Sequence, residues 1–178
     1  MRASVNKAIS LLNSGEVIAY PTEGVWGLGC DPNNEGALKK LISLKKRDPQ
    51  KGLILVGSDL LHFSEFVNLE KYGKKMMEKW PGPHTWIVPS MLISPLITGE
   101  STSVALRLSD HQTVKEITET FGGAITSSSA NIEGKRPARA KEEVEEAFKD
   151  TFIVDGELGN LDSATPIQDL ISGNWIRM

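Results

Sequence analysis

Cysteine is nearly absent from this sequence of 178 residues, in which Cys30 is the only one. A single thiol cannot form a disulfide within the chain, and a protein built without disulfides suits a reducing compartment. The three histidines are scattered, and neither they nor Cys30 fall at the spacings that zinc sites use. The sequence therefore argues against a disulfide-rich secreted domain, and we expect no tightly bound metal site in the protein.

Long apolar runs and an excess of positive charge are also missing. Nowhere do 18 apolar residues follow one another, and the N-terminal stretch MRASVNKAISLLNSGE is too polar for a signal peptide. We therefore expect a cytoplasmic protein that does not interact with membranes. The 20 Lys and Arg residues against 23 Asp and Glu give a formal charge of −3, which argues against a strongly basic nucleic-acid coat. Any anion-binding site must be local.

Strand-like and helix-like patterns alternate along most of the chain, which predicts an α/β fold with a largely buried mixed sheet. A length of 178 residues suits one domain spanning residues 1–178. Apolar runs predict strands at residues 17–20, 53–56, 85–88, 103–108, 124–127 and 151–154. Apolar periodicity predicts helices at residues 4–14, with Ser4 as the N-cap, and at 35–45, 59–67, 69–80, 111–121 and 141–149. The tail, 167–178, predicts a final strand or a hairpin around Gly173.

A cluster of positive charge lies just before the strand predicted at residues 53–56. Lys45, Lys46, Arg47 and Lys51 surround Pro49, which disfavours a continued helix at this point. Cations beside a buried strand suit an anionic ligand, and the planar guanidinium of Arg suits phosphate oxygens. The alternative is a solvated helix end, where Lys and Arg are favoured in any protein. The pattern indicates a basic loop and leaves both interpretations open.

Residues 20–32, YPTEGVWGLGCDP, combine Pro21 with glycines at positions 24, 27 and 29. Glycine permits backbone turns that other residues resist, and Pro21 blocks further strand pairing, so we predict a loop folded close to a ligand. The glycine spacing is not that of the dinucleotide-binding fingerprint, and no stretch matches the P-loop pattern. A nucleotide, if bound, would be held by another arrangement.

The other residues of unusual chemistry are a run of hydroxyl groups and one arginine inside an apolar strand. Residues 127–131, SSSAN, offer donors and acceptors to phosphate or ribose oxygens, although serines also fill loops without function. Arg107 lies in an apolar strand, where it needs an anionic partner, either a ligand or a structural ion pair. Because ligands of open α/β sheets sit at loops that leave the strand ends, the glycine, basic and serine loops are predicted to line one cavity.

No serine nucleophile motif and no pair of catalytic carboxylates stand out in the sequence. We therefore expect any chemistry to depend on positioning and charge neutralisation.

In combination, five segments resemble the YrdC/TsaC family of threonylcarbamoyl-AMP synthases. The resemblance covers nearly the whole chain, with the segments in the family's order and spacing, and any one of them alone is weak. The five segments are VIAYPTEGVWGLGCDP, LKKRDPQKGLILV, WPGPHTWIVP, SVALRLSDH and SSSANIEGKRP.

This resemblance implies a twisted mixed parallel/antiparallel sheet with flanking helices and a positively charged concave cavity. It implies a nucleotidyltransferase that forms L-threonylcarbamoyladenylate and pyrophosphate from ATP, L-threonine and bicarbonate, with Mg²⁺ accompanying the ATP. The product would serve N6-threonylcarbamoyladenosine modification of tRNA, with possible transient contact to the tRNA threonylcarbamoyl-transferase complex. The chain has the length of the family's short, single-domain form.

The resemblance also implies roles for individual residues. Lys45 and Arg47 match the family's K-x-R pair, expected to act in catalysis and ATP binding. The remaining ATP-binding positions are Ser103, Ser129 and Asn131. The positions expected to bind threonine are Thr22, Arg107 and Ser127, with Arg107 holding the carboxylate.

Several positions depart from the family's pattern. Gly24 stands where Thr is frequent, Trp26 where Tyr or Phe is usual, and His84 where an apolar residue is common. The segment SATPIQD matches the family's serine-containing ending only loosely, so Asp155 and Thr165 are weak assignments. The cavity near Trp26 is thus the part of the site that the resemblance describes least well.

Two other functions compete with the synthase. One is a non-catalytic double-stranded RNA or tRNA binder that uses the same basic cavity, with affinity that falls steeply with salt. The overall acidic balance disfavours it. The other is the carbamoyl-adenylate chemistry of hydrogenase-maturation proteins, which are much longer and carry parts that this chain lacks.

Overall fold

In the computed structural model, which describes residues 2–178, helices and strands alternate along the chain. The helices are α1 (Arg2–Asn13), α2 (Glu35–Leu44), α3 (Leu69–Met76), α4 (Pro95–Thr98), α5 (Gln112–Phe121) and α6 (Lys141–Ala147), with a 3-10 helix at Leu60–Phe63. The strands are β1 (Ile18–Pro21), β2 (Trp26–Gly29), β3 (Ile54–Gly57), β4 (Thr85–Pro89), β5 (Ser103–Leu108), β6 (Ile125–Ser129), β7 (Phe152–Ile153), β8 (Ile167–Asp169) and β9 (Trp175–Arg177).

Over residues 2–178 these strands form one nine-stranded sheet in the order β7-β1-β2-β6-β3-β5-β4-β8-β9. Three neighbouring pairs are parallel, namely β1–β7, β3–β5 and β4–β8. The other neighbours, including β3–β6 and β4–β5, run antiparallel. The prediction of a mixed parallel/antiparallel sheet with flanking helices is confirmed.

Each central strand sends alternate residues to opposite faces of the sheet. One face, which carries Leu55 and Leu106, packs against α2 and α3 in the larger hydrophobic core. The other face carries Val56 and Ile125 and packs against α1 and α5 in a smaller core. Along the strands beyond that smaller core, the same face bears small and polar residues, and this part forms the floor of a cavity.

The glycine-rich stretch is a β-hairpin, so the prediction that it is a loop was wrong for residues 26–29. Strand β2 pairs antiparallel with β1, and Pro21 forms the last pair of the ladder, with Trp26. The ring of Tyr20 lies over β2, where a Cβ at Gly29 would lie 2.8 Å from the ring and one at Gly27 would lie 3.3 Å from it. The glycines therefore make room for a buried tyrosine, whose hydroxyl donates to the carbonyl of Thr126 at 2.9 Å.

Two predicted helix starts also differ from the structure. Ser4 lies inside α1, and its hydroxyl accepts a hydrogen bond from the backbone N–H of Asp155 at 2.9 Å, so it ties the helix to the segment after β7. Asp59 caps the 3-10 helix by accepting from the N–H of Leu61 at 2.7 Å, which favours a tight turn over the longer α-helix predicted for residues 59–67.

The C-terminal tail forms the predicted hairpin. Strands β8 and β9 pair antiparallel, and Gly173 has a positive φ of 75° between them. Because β8 also pairs with β4, the hairpin extends the sheet and brings the end of the chain to the cavity.

Candidate active site

The floor of the cavity is the part of the sheet that α1 and α5 leave uncovered. Its volume is about 300 Å³, at the lower end of the range for ligand pockets. Ile54, Ala105 and Ser127 lie side by side on this floor, because Ile54 pairs with Ala105 of β5 on one side and with Ser127 of β6 on the other. The loop at residues 22–25 and the segment before β8 form walls above this floor.

Most of the residues predicted for the site lie around this one cavity. Lys45 and Asn131 are the two predicted residues that are not among its lining residues. The predicted residues that line the cavity are Thr22, Arg47, Ser103, Arg107, Ser127 and Ser129.

The cavity has two ends, which we name after their arginines. Arg47 lies with Ser103 and Ser129 where β3 and β5 begin, and we call this the Arg47 end. Arg107 lies four residues beyond Ser103 in β5, which corresponds to about 13 Å along the strand. With Ser127 it forms the Arg107 end.

Arg107 is buried, with 5% of its surface exposed. Its Nη1 donates to the hydroxyl of Thr165 at 3.2 Å, and its Nη2 lies 3.4 Å from the hydroxyl of Ser127 and 3.4 Å from Oε2 of Glu23. These distances are long for hydrogen bonds of a guanidinium. Among residues 2–178 nothing accepts a hydrogen bond from its Nε–H. The guanidinium therefore has an internal ion pair and one buried N–H that no group in residues 2–178 satisfies, and Arg107 is among the residues that line the cavity.

Glu23 is a functional candidate that the sequence analysis missed. Its Oε1 accepts a hydrogen bond from Ser109 at 2.6 Å, and the Ser109 hydroxyl in turn accepts from the N–H of His111 at 3.1 Å. A carboxylate next to Thr22 in the PT loop was visible in the sequence, but its pairing with Arg107 joins positions 84 residues apart. Only the folded chain brings them together.

Arg177 also lines the cavity and was missed. Its Nε donates to the carbonyl of Thr165 at 3.1 Å, and its Nη2 donates to the same oxygen. Burial lowers the pKa of Arg177, and the nearby positive charge of Arg107 lowers it further. Thr165, a weak assignment in the sequence, therefore connects both arginines, whereas the backbone of Asp155 is bound to α1.

The basic loop follows α2 directly and turns sharply. Lys46 adopts a left-handed conformation with φ of 50°, and this turn brings Arg47 back towards the strand. Arg47 donates from Nη2 to the carbonyl of Gly52 at 2.7 Å and from Nε to the carbonyl of Lys51 at 3.3 Å. Its guanidinium is thus held by backbone carbonyls at the cavity mouth and is half-buried.

Lys45 is the residue whose placement differs most from expectation. It is 2% exposed, and its ammonium donates to the backbone carbonyls of Ser129 and Asn131, the latter at 2.8 Å. Burial lowers the pKa of Lys45 to about 8, and the nearby charge of Arg47 contributes to the shift. In this structure Lys45 therefore holds the turn after β6 and does not itself line the cavity.

The serine-rich stretch is more regular than predicted, because β6 continues through Ser129. Ser127, Ser128 and Ser129 all line the cavity, and strand alternation puts the side chains of Ser127 and Ser129 on the same face of the sheet. The Ser129 hydroxyl donates to Oδ1 of Asn131 at 2.6 Å, and the amide of Asn131 donates to the carbonyls of Ile132 and Lys135, each at 2.9 Å. Asn131 therefore braces the turn that presents Ser129.

The departures at positions 24, 26 and 84 have physical accounts. A Cβ at Gly24 would collide with the carbonyl of Ser163, so the close wall over the cavity requires glycine there. Trp26 is 3% exposed and belongs both to the larger core and to the cavity lining. His84 packs between Trp86 and Trp175, away from the cavity, and burial lowers its pKa to about 4.

The part of the chain that the structure describes contains no group of three His, Cys, Asp or Glu side chains arranged to hold a metal ion. Across residues 2–178, none of the helices is long and apolar enough to cross a bilayer.

Comparison with known proteins adds family context to this geometry. The sequence model of the Sua5/YciO/YrdC family, described as telomere recombination, matches residues 10–177. The threonylcarbamoyl-AMP synthase of Aliivibrio fischeri is 44% identical over 181 residues, which cover 98% of each chain. The enzyme of the same name from Chromohalobacter salexigens is 44% identical over 174 residues, covering 96% of this chain and 94% of the relative.

A solved structure of similar fold is that of P. abyssi Sua5 complexed with L-threonine. It has a TM-score of 0.88 and is 26% identical in sequence. The match covers 97% of this chain and 52% of the Sua5 chain, so this protein spans about half the length of that neighbour.

Proposed function

This chain belongs to the Sua5/YciO/YrdC family, and on that premise we propose that it is a threonylcarbamoyl-AMP synthase. The enzyme joins L-threonine, bicarbonate and ATP to give L-threonylcarbamoyladenylate and pyrophosphate. The observation that carries the proposal is the cavity itself, which has a buried guanidinium with a free Nε–H at one end and a second arginine with hydroxyl groups at the other.

The Arg107 end suits the amino acid. A carboxylate bound to the Arg107 guanidinium would form a charge-assisted hydrogen bond in a site sheltered from water, which contributes about 1.5–3 kcal/mol. Thr22, Ser127 and Thr165 supply hydroxyls beside that position. We therefore assign threonine to this end, with Arg107 as the residue that binds its carboxylate.

The Arg47 end suits the triphosphate. Arg47 presents a cation at the cavity mouth, and Ser103 and Ser129 present hydroxyls on neighbouring strands. Lys45 and Asn131 act here through the turn that they brace, so we assign them to positioning of Ser129 and the adjacent backbone. The three arginines that line the cavity, Arg47, Arg107 and Arg177, support the expected positive charge.

In the proposed reaction, the amino group of threonine combines with bicarbonate and releases water, giving N-carboxy-threonine. The new carboxylate attacks the α-phosphorus of ATP, and pyrophosphate leaves. Binding both ligands in one cavity makes the reaction between them effectively unimolecular. Arg47 offsets the negative charge of the departing pyrophosphate.

Mg²⁺ would accompany the ATP and neutralise charge on its phosphates. Because the described residues contain no cluster of three metal-ligating side chains, we propose that phosphate oxygens and water hold the ion. We propose that the reaction takes place in the cytoplasm, where ATP and tRNA are present, and that the product passes to the transferase complex that modifies tRNA.

The test is release of pyrophosphate from ATP by the purified protein, with and without L-threonine and bicarbonate. We expect release to require both, and mass spectrometry to detect threonylcarbamoyl-AMP. Folded protein that releases no pyrophosphate with both substrates and Mg²⁺ present would overturn the proposal. Binding of double-stranded RNA that weakens with salt and ignores saturating ATP and threonine would then favour the RNA-binding alternative.

A further inference from the structure

Two opposite charges are buried together behind the wall of the cavity. The side chains of Arg107 and Glu23 are 6% and 12% exposed, and Oε2 of Glu23 lies 3.4 Å from Nη2 of Arg107. Thr22 and Gly24, on either side of Glu23, line the cavity, whereas Glu23 lines a separate hollow with Gly82 and neighbouring residues. Glu23 is therefore not part of the cavity lining, although it pairs with Arg107, which is.

The structure fixes this carboxylate through several contacts. Ser109 donates to Oε1 at 2.6 Å, and the backbone N–H of Ser109 donates to the carbonyl of Gly57, which anchors the serine to the end of β3. The carbonyl of Glu23 accepts from the N–H of Leu161 at 2.9 Å, and a Cβ at Gly159 would collide with the Glu23 backbone. Glu23 is thus held by its side chain and by its main chain.

Glu23 has two opposing effects on a ligand carboxylate. Its charge repels the ligand, and its ion pair fixes the guanidinium in place. Arg177 lies at the same end of the cavity, so two guanidiniums and one carboxylate leave a net positive charge there. The end still attracts an anion. The other contacts of Arg107 go to neutral hydroxyls at 3.2 and 3.4 Å, whereas Glu23 offers an opposite charge at 3.4 Å. Because charge attraction is strong in a buried site, Glu23 is the contact that orients the guanidinium most.

We propose that Glu23 is a positioning residue for Arg107, with Ser109 as the residue that orients Glu23. The pair fixes the guanidinium so that it meets the carboxylate of the amino-acid substrate. This inference rests on the proposed function in one respect, which is that threonine is the ligand of Arg107.

The test compares Glu23→Gln and Ser109→Ala with two matched controls. Glu145→Gln removes a carboxylate from an exposed ion pair with Lys141, and Ser58→Ala removes a hydroxyl bonded to Thr118, both outside the cavity lining. We expect E23Q to raise the KM for threonine about tenfold, equivalent to 1.4 kcal/mol. S109A should raise it about threefold, while the KM for ATP and both controls change by less than about twofold.

An unchanged or lower KM for threonine in E23Q would overturn the proposal, because a lower value would mean that repulsion dominates. A loss confined to melting temperature, with both KM values retained, would do the same by showing a purely structural role. If E23Q does not fold, Glu23→Asp replaces it. That variant keeps the charge but withdraws it from Arg107, so we expect a KM for threonine above that of the wild type. A wild-type KM for threonine in Glu23→Asp would overturn the proposal.

A second readout needs no substrate and separates this inference from the proposed function. The Nε–Hε signal of Arg107 in ¹H–¹⁵N spectra can be assigned by its loss in Arg107→Lys. We expect a sharp signal with slow solvent exchange in the wild type and a broadened or fast-exchanging one in E23Q. Identical signals in the two proteins would overturn the positioning role, whereas failure of the wild type to release pyrophosphate would overturn only the function.

Discussion

The two ends of the cavity are held together in different ways. At the Arg107 end, charged and hydroxyl side chains contact one another, and they come from positions as far apart as Glu23 and Arg177. At the Arg47 end, backbone carbonyls hold the cations, and these carbonyls come from the basic loop and from the turn after β6. Removing one member of a buried ion pair leaves the other charge without a partner. We therefore expect substitutions at the Arg107 end to reduce activity and stability more than substitutions at the Arg47 end.

The largest effect is expected for Arg107→Ala. Loss of the hydrogen bond to the carboxylate, worth about 1.5–3 kcal/mol of binding free energy, should raise the KM for threonine about 10- to 150-fold. The change also leaves Glu23 without its buried partner, so the free energy of unfolding should fall as well. Steady-state kinetics and thermal melts measure the two effects.

Arg107→Lys is the control for folding, because it keeps a positive charge beside Glu23 but loses the planar fork. A wild-type KM for threonine in R107K would remove Arg107 from carboxylate binding.

A smaller loss is expected for Lys45→Met at the other end. Without the ammonium, the carbonyls of Ser129 and Asn131 lose their donor, and the turn that presents Ser129 loosens. We expect about a tenfold drop in kcat/KM for ATP and a decrease of about 1–3 kcal/mol in the free energy of unfolding. Lys46→Met, at an exposed position in the same loop, should leave both values near those of the wild type. Equal losses in the two variants would contradict the bracing role of Lys45.

The pH dependence of stability provides an independent check on Lys45. Burial lowers its pKa in the folded protein to about 8, whereas the unfolded chain has the ordinary value of 10.5. Between these values the unfolded chain binds more protons, so the wild type should gain stability relative to K45M as pH rises from 8 to 10.5. Denaturant unfolding at several pH values should show a gain of about 1 kcal/mol or more. A flat difference across this window would mean that the ammonium is not buried as described.

The smallest effect is expected for Arg47→Ala. Because the guanidinium is half-buried at the cavity mouth, solvent screens its attraction for phosphate. We expect the KM for ATP to rise about fivefold, the KM for threonine to stay constant, and the effect to shrink in high salt. A larger rise for threonine than for ATP would reverse the assignment of the two ends.

Local sequence patterns predicted the position of the basic loop but not the role of Lys45, which holds the turn after β6. Pro49 and the four cations marked the end of α2 and the basic loop within a few residues. The mixed sheet was predicted from the alternation of strand-like and helix-like stretches along the chain.

The Arg107 end was predictable only in part. Nothing near Glu23 or Arg177 in the sequence indicates that they meet at Arg107, because the contacts depend on how the hairpin loop and the C-terminal strand close over the sheet. The same limit explains the glycines at positions 27 and 29. They were interpreted as loop residues near a ligand, whereas both lie in strand β2, where a Cβ would meet the ring of Tyr20, and at Gly29 also the carbonyl of Thr126. Gly27 does line the cavity.

The most direct test of the account is a crystal structure of the protein with L-threonine and an ATP analogue that resists cleavage at the α,β-bridge. We predict that the threonine carboxylate accepts a hydrogen bond from the guanidinium of Arg107, with Glu23 still paired with that guanidinium. The triphosphate should contact Arg47 and the Ser129 hydroxyl. Threonine bound away from Arg107, or phosphates seated at the Arg107 end, would contradict the division of the cavity into an amino-acid end and a phosphate end.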